Sequence, residues 1–403
     1  MSHINEVITE LRSSGVPHKK LADIGTFKRG GGPQKKDFVE DGIGCIHYGQ
    51  IYTHYGVSTR ATNVFVSPDV ARRSRMADPG DIVVAVTGEN DEDLGKSVAW
   101  LGDAKVAVSN HTIIFTSPLD PKYVSYFLHS TSFHRQKQRH ITGTKVRSLP
   151  ERGLGAILIP VPPLEVQREI VSILDTFTEL EAELEAELEA RRIQYAHYLS
   201  RVLRPNQGVE TRPLSEVADF RYGLTAKAAD TGSHRFIRIT DINNWGKLLP
   251  IGARYIDAGG EASDYELQAG DLLVARTGGT FGKTMLFSTS EPAVFASYLI
   301  RIRVDPQQLL PGYYWHFAQS SSYWDQAVAL VSTGGQPQFN ANVLKTIMVP
   351  VPSLDFQRSV VRVLDQFDSL SNDLASGLPA EIDARRKQYE YYRDKLLTFR
   401  DSA

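Results

Sequence analysis

The sequence predicts an α+β fold: two β-rich mixed α/β domains joined by two long antiparallel helices, with an internal pseudo-two-fold repeat. Three observations predict it. A long segment occurs twice, this segment has the apolar spacing of a coiled coil, and the regions between its copies contain short β-branched runs. At 403 residues the chain also exceeds what one ordinary hydrophobic core supports, so several domains are expected.

The repeat is most regular in the segments that follow each β-rich region. "IPVPPLEVQREIVSILDTF" at 159–177 returns as "VPVPSLDFQRSVVRVLDQF" at 349–367, and "ARRIQYAHYLSRVL" at 190–203 returns as "ARRKQYEYYRDKLL" at 384–397. The preceding regions agree only at short anchors, such as "PGDIVVAVTG" and "AGDLLVARTG". A constant framework with diverged parts is expected if two copies bind different targets through one scaffold.

Apolar residues in the repeated segment fall mostly 3, 4 or 7 positions apart, which is the spacing of a coiled-coil stripe. A continuous helix of about 40 residues is roughly 60 Å long. The second copy contains Gly377 and Pro379, so we expect a break or kink there. Since one helix cannot bury its stripe alone, the two copies are expected to pack antiparallel. The predicted segments are a first domain with a short N-terminal helix (1–159), a central helical spacer (160–206), a second domain (207–349) and a C-terminal helical spacer (350–403).

The regions before each repeated segment predict short strands and short helices. "DIVVAVTG", "VAVSNHTIIF", "DLLVARTG" and "YLIRIRV" are β-branched runs that end in turn residues. "PKYVSYFLHSTSFHRQKQ" and "PGYYWHFAQSSSYWDQAV" have aromatic residues at helical spacing and begin with proline, which suits a first helical turn.

Composition argues against membrane and disulfide-rich classes. No apolar run approaches 18 residues, and the N-terminus lacks the layout of a signal peptide, so we expect a cytoplasmic protein without membrane contact. Cys45 is the single cysteine, which excludes an internal disulfide, and we expect it to be a small buried side chain.

Charge is distributed unevenly along the chain. The formal net charge of −2 argues mildly against nucleic-acid binding. Residues 20–36, however, hold five Lys and Arg against one acid, and residues 134–152 hold six against one. Residues 179–189 carry six glutamates, which predict a solvated face or, as an alternative, a surface that docks on a basic partner.

Catalytic and metal motifs are missing from the sequence. "GGTFGKT" at 278–284 has three residues between its glycines where a phosphate-binding loop has four, so a glycine-rich turn between strands is the better interpretation. Among the 11 histidines there is no metal spacing, and Cys45 and His47 stand two apart on a predicted strand, unlike a catalytic dyad. His129, His134 and His140 are expected on a solvated or DNA-facing helix.

The repeated pattern "PVPxLxxQR…LDxF…ARRxQY" resembles the specificity subunits of type I restriction–modification systems, and the N-terminal "SHINEVITELRSSGVPHKKLADIG" is similar to the same family. The resemblance covers essentially the whole chain. It implies that each recognition domain binds half of a bipartite double-stranded DNA target, that the helices set the spacing, and that this chain is no enzyme. It further implies docking of two methyltransferase subunits and of restriction subunits, which would carry S-adenosylmethionine, ATP and Mg, leaving no cofactor or metal on this chain.

Two alternatives remain open on the sequence. A stand-alone DNA-binding regulator or adaptor would bind DNA without co-purifying partners. An enzyme acting on nucleic acid would need a catalytic cluster, which the motifs do not supply.

We expect four equivalent loop regions in each half to approach DNA, with Lys and Arg on phosphates and other polar side chains on base edges. In the first half they contain Lys28, Arg29, Gly30, Lys35 and Lys36; His47, Tyr48 and Gln50; Thr87, Gly88 and Lys96; and Thr142, Gly143, Thr144, Lys145 and Arg147. In the second half they contain Arg221, Tyr222, Thr225 and Lys227; Arg238, Thr240 and Asp241; Arg276, Thr277, Gly278 and Lys283; and Thr333, Gly334, Gln336, Gln338 and Asn340.

Some of these assignments have structural alternatives. A solvated hairpin explains any single lysine of the first region equally well, and a core-facing position is the alternative for Tyr48. Arg276 ends an apolar strand, where an unpaired cation is costly to bury, so a functional role is favoured. Lys145 and Arg147 suit guanine or phosphate, whereas the amides at 336, 338 and 340 suit adenine.

Charged and aromatic residues alternate in both copies of the "ARRxQY" segment, which predicts a surface for a partner subunit. The residues are Arg191, Arg192, Tyr195, Tyr198, Arg385, Arg386, Tyr389 and Tyr392.

Overall fold

The computed structural model describes residues 15–203, 209–257, 259, 264–331, 339–373 and 376–401. The chain divides into two compact units, Met1–Glu183 with Asp383–Ala403, and Leu184–Ile382. The predicted N-terminal helix lies outside the described residues.

The first unit is built from short strands and short helices. Its strands are β1 (His18–Lys20), β2 (Thr26–Arg29), β3 (Phe38–Val39), β4 (Ile43–Ile46), β5 (Ser58–Thr59), β6 (Phe65–Val66), β7 (Arg75–Ala77), β8 (Ile82–Ala85), β9 (Thr87–Gly88), β10 (Ser97–Trp100), β11 (Val106–Val108), β12 (Thr112–Thr116), β13 (Arg147–Ser148) and β14 (Leu158–Pro160). Its short helices are α1 (Leu21–Ile24), α2 (Tyr48–Thr53), α3 (Pro68–Arg73), α4 (Pro121–Leu128), α5 (Thr131–Lys137) and α6 (Glu151–Gly155).

Strand β8 is the buried centre of this unit. It lies in a sheet of order β2-β12-β8-β10-β5, and a further sheet has the order β3-β6-β4-β11-β7. Ile82 and Val84 pack on one side with Phe127 of α4, whereas Val83 packs on the other side with Ile51 of α2. Because both faces are covered, the strand is a continuous apolar run instead of an alternating one.

The second unit repeats this plan with fewer strands among its described residues. Its strands are β15 (Thr211–Pro213), β16 (Ala218–Tyr222), β17 (His234–Ile237), β18 (Tyr255–Ile256), β19 (Leu272–Ala275), β20 (Thr284–Leu286), β21 (Ala293–Phe295), β22 (Leu299–Val304) and β23 (Met348–Pro350). The sheets have the orders β16-β22-β19-β20 and β18-β17-β21, with β15 paired to β23. The strands and short helices predicted from the sequence are confirmed.

The helices of the repeat behave as the sequence predicts. The remaining helices are α7 (Leu164–Val202), α8 (Pro311–Phe317), α9 (Ser321–Leu330), α10 (Ala341–Lys345), α11 (Leu354–Asn372) and α12 (Leu378–Leu396). The first copy, α7, is continuous over 39 residues. The second copy breaks between α11 and α12, where a Cβ on Gly377 would lie 2.5 Å from the carbonyl oxygen of Ser369. The predicted break is therefore confirmed, and glycine is needed for the close approach of the two backbones.

Within each unit, a stretch of one copy of the repeated helix packs antiparallel on a stretch of the other. In the first unit the rings of Phe177 and Tyr392 stack at 5.5 Å. In the second unit Tyr198 lies 5.1 Å from Phe367, and Leu188 packs on Leu378. The antiparallel pairing expected from the apolar stripe is confirmed.

Two repeated glutamines attach the helices to the β-rich parts. The side chain of Gln167 accepts from the backbone N–H of Asp120 at 2.9 Å and donates to the carbonyl of Pro162 at 2.8 Å. Gln357 makes the equivalent bonds, accepting from Leu310 and donating to Pro352, both at 2.8 Å. The glutamine that the two copies share therefore has a structural explanation.

The histidine expectation needs correction. His129 is enclosed in the first unit, with its Nε2 2.9 Å from the carbonyl oxygen of Ser97, and burial lowers its pKa to about 4. Burial and then the charge of Lys137 lower the pKa of His134 to about 4 as well. His129 lies between α4 and α5 with its ring against Ser97 of β10, and His134 is half-buried on α5 beside Phe133. As expected, Cys45 is buried, which raises its pKa to about 12.

None of the helices in the described ranges combines the length and the apolar character needed to cross a membrane.

Candidate nucleic-acid interface

The two units share a backbone framework at the end of their central strand. In the first unit Val86 follows β8 and its N–H donates to the carbonyl of His111 at 2.9 Å. In the second unit Arg276 follows β19 and its N–H donates to the carbonyl of Tyr298 at 3.1 Å. The same two positions therefore hold a buried valine and an exposed histidine in one unit, and an arginine and a tyrosine in the other.

Arg276 lies against two tyrosine rings. Its Cζ is 5.2 Å from the ring centroid of Tyr222 and 6.0 Å from that of Tyr298. These rings are 42% and 56% exposed. The Nε of Arg276 is buried and has no hydrogen-bond partner among the described residues. A guanidinium without a partner among the described residues of its unit is a candidate donor to an acceptor from outside.

In the first unit the third and fourth predicted regions come together. Strands β9 and β13 pair antiparallel, with Arg147 opposite Gly88. Next to them the Nδ1 of His111 lies 3.3 Å from the Oγ1 of Thr87, and its ring is 5.2 Å from that of Tyr48. His111 has a φ of 69°, alone among the described residues other than glycine. Such strained conformations cost about 1–3 kcal/mol and tend to cluster at functional sites.

Several predicted phosphate contacts are exposed on the surface of their units. In the part of the chain that the structure describes, these side chains have no carboxylate partner. They are Lys28, Arg29, Lys35, Lys36, Lys145 and Lys227. The hydroxyl-bearing Thr142, Thr144 and Thr225 are exposed as well.

The second region is helical in the first unit, which corrects the expected loop. His47 caps α2, with its Nδ1 accepting from the N–H of Gly49 at 3.2 Å. Burial, followed by the charges of Lys35 and His111, lowers the pKa of His47. Gln50 donates to Asn63 at 2.7 Å. His47 is thus a buried capping residue and is removed from the DNA-contact set, while Tyr48 is half-buried on the core, as the alternative foresaw.

The equivalent region of the second unit is a 3-10 turn, Ile239–Asp241. Asp241 is buried and receives the backbone N–H of Arg238 at 2.8 Å and its Nη2 at 2.6 Å. This pair raises the pKa of Arg238. Since Arg238 and Asp241 are hydrogen-bonded to each other, the pair stabilises the turn. Of the three predicted residues in this region, Thr240 is the exposed one.

Ion pairs and caps within the units occupy further predicted residues. Lys96 pairs with Asp93 at 2.7 Å, Arg147 with Asp91, Arg221 with Asp264 at 3.2 Å, and Lys283 donates to Asn244 at 3.1 Å. The side-chain oxygen of Asn340 accepts from the N–H groups of Asn342 and Val343, so it caps α10 and is not free for adenine. Exposed pairs contribute only about 0–1 kcal/mol, so Arg147 and Arg221 can exchange their partner for a phosphate.

The opening glycines have a packing role. A Cβ on Gly30 would lie 2.2 Å from the Oγ1 of Thr112, and one on Gly223 would lie 2.2 Å from the carbonyl oxygen of Ala296. Gly30 is therefore needed for strand packing, which corrects its assignment to DNA. Gly143 and Gly278 have φ values of 91° and 71°, and so form turns.

Four predicted residues fall outside the described part of the chain. They are Thr333, Gly334, Gln336 and Gln338. Thr277 is described and half-buried beside Arg276.

The structure buries two of the four tyrosines predicted for the partner surface. Tyr195 is 6% and Tyr392 is 7% exposed, because both belong to the cores of their units. The hydroxyl of Tyr195 lies 2.9 Å from the Nδ1 of His316. Tyr389 is half-buried on the core of the first unit. These tyrosines hold the helices to the rest of their unit instead of facing outward.

The arginines of the same segments are engaged within their units. Arg191 pairs with Glu187 at 3.3 Å, Arg192 lies 4.4 Å above the ring of Trp245, Arg385 donates to Gln388 at 3.2 Å, and Arg386 pairs with Glu181 at 2.5 Å. Of the eight predicted residues, Tyr198 has an exposed apolar face in the described structure. It lines a groove of about 490 Å³ in the second unit, together with the exposed Phe356 and Val363 of α11.

Comparison with known proteins decides the family. The chain matches the model of the type I restriction modification DNA specificity domain twice, over residues 14–190 and 206–384. The chain belongs to this family.

This specificity-domain protein is similar to several specificity subunits. It is 30% identical to the EcoR124I/EcoR124II specificity subunit of Escherichia coli, over 69% of this chain and 70% of that protein. It is 29% identical to a Haemophilus influenzae protein provisionally named a type I restriction enzyme specificity subunit, over 75% of this chain and 79% of that protein. It also shares its fold with the crystal structure of a type I S subunit from M. genitalium, with a TM-score of 0.56 at 15% identity, covering 94% of this chain and 96% of that one.

Two exposed residues of the specificity-domain protein were not among the residues predicted from the sequence to contact DNA. Tyr298 and His111 precede a buried strand, and nothing in their local sequence separates them from ordinary turn residues. The signal available was the repeat itself, since aligning "SNHTIIF" with "ASYLIRI" places them at the same position.

Proposed function

We propose that this specificity-domain protein is the non-catalytic specificity subunit of a type I restriction–modification complex and binds a bipartite double-stranded DNA target, one half-site per unit. The observation that carries the proposal is the shared framework at the end of the central strand, on which the two units present unlike side chains. A common backbone with different exposed groups is what two readers of different base sequences require.

Contacts fall into two classes in this proposal. The exposed cations Lys28, Arg29, Lys35 and Lys36 contact phosphates, which supply affinity and salt dependence without sequence information. The groups at the strand ends, His111 in the first unit and Arg276 in the second, contact base edges. Each lies on a rigid strand end instead of a long loop, and this limits the freedom lost on binding.

Partner subunits supply the chemistry. In this proposal two methyltransferase subunits carry S-adenosylmethionine, and restriction subunits carry ATP and Mg, all in the cytoplasm. The groove lined by Tyr198, Phe356 and Val363 is the favoured docking surface in the second unit, because exposed aromatic and aliphatic side chains around a concavity are typical of protein interfaces.

The test is a methyl-transfer assay with labelled S-adenosylmethionine and DNA, with this chain alone, the methyltransferase subunit alone, and both co-expressed. We expect sequence-specific transfer only when both are present. Transfer by this chain alone contradicts the non-catalytic role. Tight DNA binding by a chain that never co-purifies with a methyltransferase subunit supports a stand-alone regulator instead.

A further inference from the structure

Arg276 differs from most arginines of the second unit in lacking an acidic partner. Within the described ranges, it makes neither an ion pair nor a side-chain hydrogen bond. Leaving a half-buried cation unsatisfied is costly, so its retention at an exposed edge needs a reason. The arginines of this unit that are paired with carboxylates among the described residues are Arg191, Arg212, Arg221, Arg235, Arg238, Arg254, Arg303 and Arg358.

The surroundings of Arg276 restrict where its guanidinium can lie. Its Cζ is within cation–π range of the rings of Tyr222 and Tyr298. The hydroxyl of Tyr222 accepts from the N–H of Ala341 at 3.0 Å, which holds that ring in place. The carbonyl of Tyr298 accepts from the N–H of Arg276 itself at 3.1 Å. The side chain therefore pays less conformational entropy on binding than a free surface arginine.

A positioned guanidinium fits a guanine better than a phosphate. Arginine contacts the O6 and N7 of guanine through two parallel hydrogen bonds, which requires a defined plane. A phosphate contact needs mainly a positive charge, which the exposed lysines of both units supply without flanking rings. At the equivalent position of the first unit, Val86 is buried and offers no donor side chain.

We propose that Arg276 reads one guanine in the half-site bound by the second unit, and that Tyr222 and Tyr298 are positioning residues for its guanidinium. This inference rests on the proposed function and deepens it. It makes the two half-sites chemically different, because only the half-site bound by the second unit contains a guanine contacted by an arginine at the end of the central strand.

The experiment uses the full chain co-expressed with its methyltransferase subunit, a plasmid library of randomised sequence, and sequencing of the methylated sites. The wild-type complex is expected to give a split motif with an invariant guanine in one half. In Arg276→Ala that single position becomes degenerate, with preference for guanine falling about ten- to a hundredfold, while every other position is unchanged. Arg276→Lys, the matched control, keeps the charge but loses the two parallel hydrogen bonds of the guanidinium, and it is expected to relax the preference for guanine at the same position.

Tyr298 is tested with a pair of variants. Tyr298→Phe keeps the ring and is expected to preserve the motif, whereas Tyr298→Ala relaxes the position that Arg276→Ala relaxes. Thermal melting of each variant confirms folding, and Arg276→Lys, the least disruptive change, serves if the alanine variants do not fold.

Two results overturn the inference while leaving the proposed function in place. One is a split motif that Arg276→Ala and Arg276→Lys leave unchanged. The other is an Arg276→Ala variant that binds all sequences more weakly by the same factor, with Arg276→Lys restoring binding, as a phosphate contact predicts. A wild-type complex that yields no split motif contradicts the proposed function itself.

Discussion

Gln357 anchors α11 to the second unit, and its removal should destabilise that unit strongly. The side chain is fully buried. Its Oε1 accepts from the N–H of Leu310 at 2.8 Å, and its Nε2 donates to the carbonyls of Gln308 and Pro352, both at 2.8 Å. In Gln357→Ala three partly buried backbone groups lose their partner together.

The magnitude follows from these three bonds. An intramolecular hydrogen bond contributes about 1 kcal/mol net, and more when its loss strands a buried partner, so Gln357→Ala should lower the free energy of unfolding by about 3 kcal/mol or more. For a unit of this size each 1 kcal/mol lowers the midpoint by about 2–4 °C, so we expect a fall of roughly 6–12 °C.

Differential scanning calorimetry of the full chain measures this change. Gln307→Ala is the matched control, because Gln307 is exposed in the same unit, and its variant should stay within about 0.5 kcal/mol of wild type. Gln167→Ala removes the equivalent side chain in the first unit and should lower the transition of that unit instead. Equal midpoints for Gln357→Ala and Gln307→Ala would refute the anchoring role.

Three further predictions concern pH, salt and assembly. Burial holds the pKa of His129 in the folded chain below its ordinary value, at about 4, so the unfolded chain binds a proton at this residue first as the pH falls. The free energy of unfolding should therefore decrease between pH 6.5 and 4, and this decrease should be shallower in His129→Gln when denaturation is measured against pH. An equally steep decrease in His129→Gln would count against the assignment. Lys28→Gln and Lys35→Gln should weaken binding to every DNA sequence alike and reduce the slope of log affinity against log salt by about 1 each; altered sequence preference would contradict a phosphate role. Val363→Asp places a charge in the groove of the second unit and should abolish co-purification with the methyltransferase subunit, whereas Val146→Asp, at an exposed position of the first unit, should not. Retained co-purification of Val363→Asp rejects this docking surface.

The architecture was predictable because local patterns encode it. The coiled-coil spacing gave α7 its extent, and Gly377 with Pro379 located the break between α11 and α12. Continuous apolar runs gave the buried strands β8 and β19. The repeat supplied the rest, since two copies of one pattern in a single chain imply two copies of one unit.

The candidate site was predictable only in part. Sequence reasoning singled out Arg276 as an arginine too costly to bury without purpose, and the structure leaves its Nε without a hydrogen-bond partner among the described residues. It also assigned His47, Arg238 and Asn340 to DNA, whereas the structure uses them to cap or brace short helices. Side chains of this kind suit a helix end and a base edge equally well, so residue type cannot separate the two roles.

The amino-acid pattern was enough to establish the duplicated architecture, the long helices and their break, because apolar periodicity and glycine or proline positions act over a few neighbouring residues. The folded structure was needed to show which polar groups remain free and which residues far apart in the chain meet, such as Arg276 with Tyr222 and Tyr298. Strand pairing brings these residues together across the chain, and most buried polar groups take their partner from within the fold. What the pairing leaves unsatisfied at the surface is what a ligand can use.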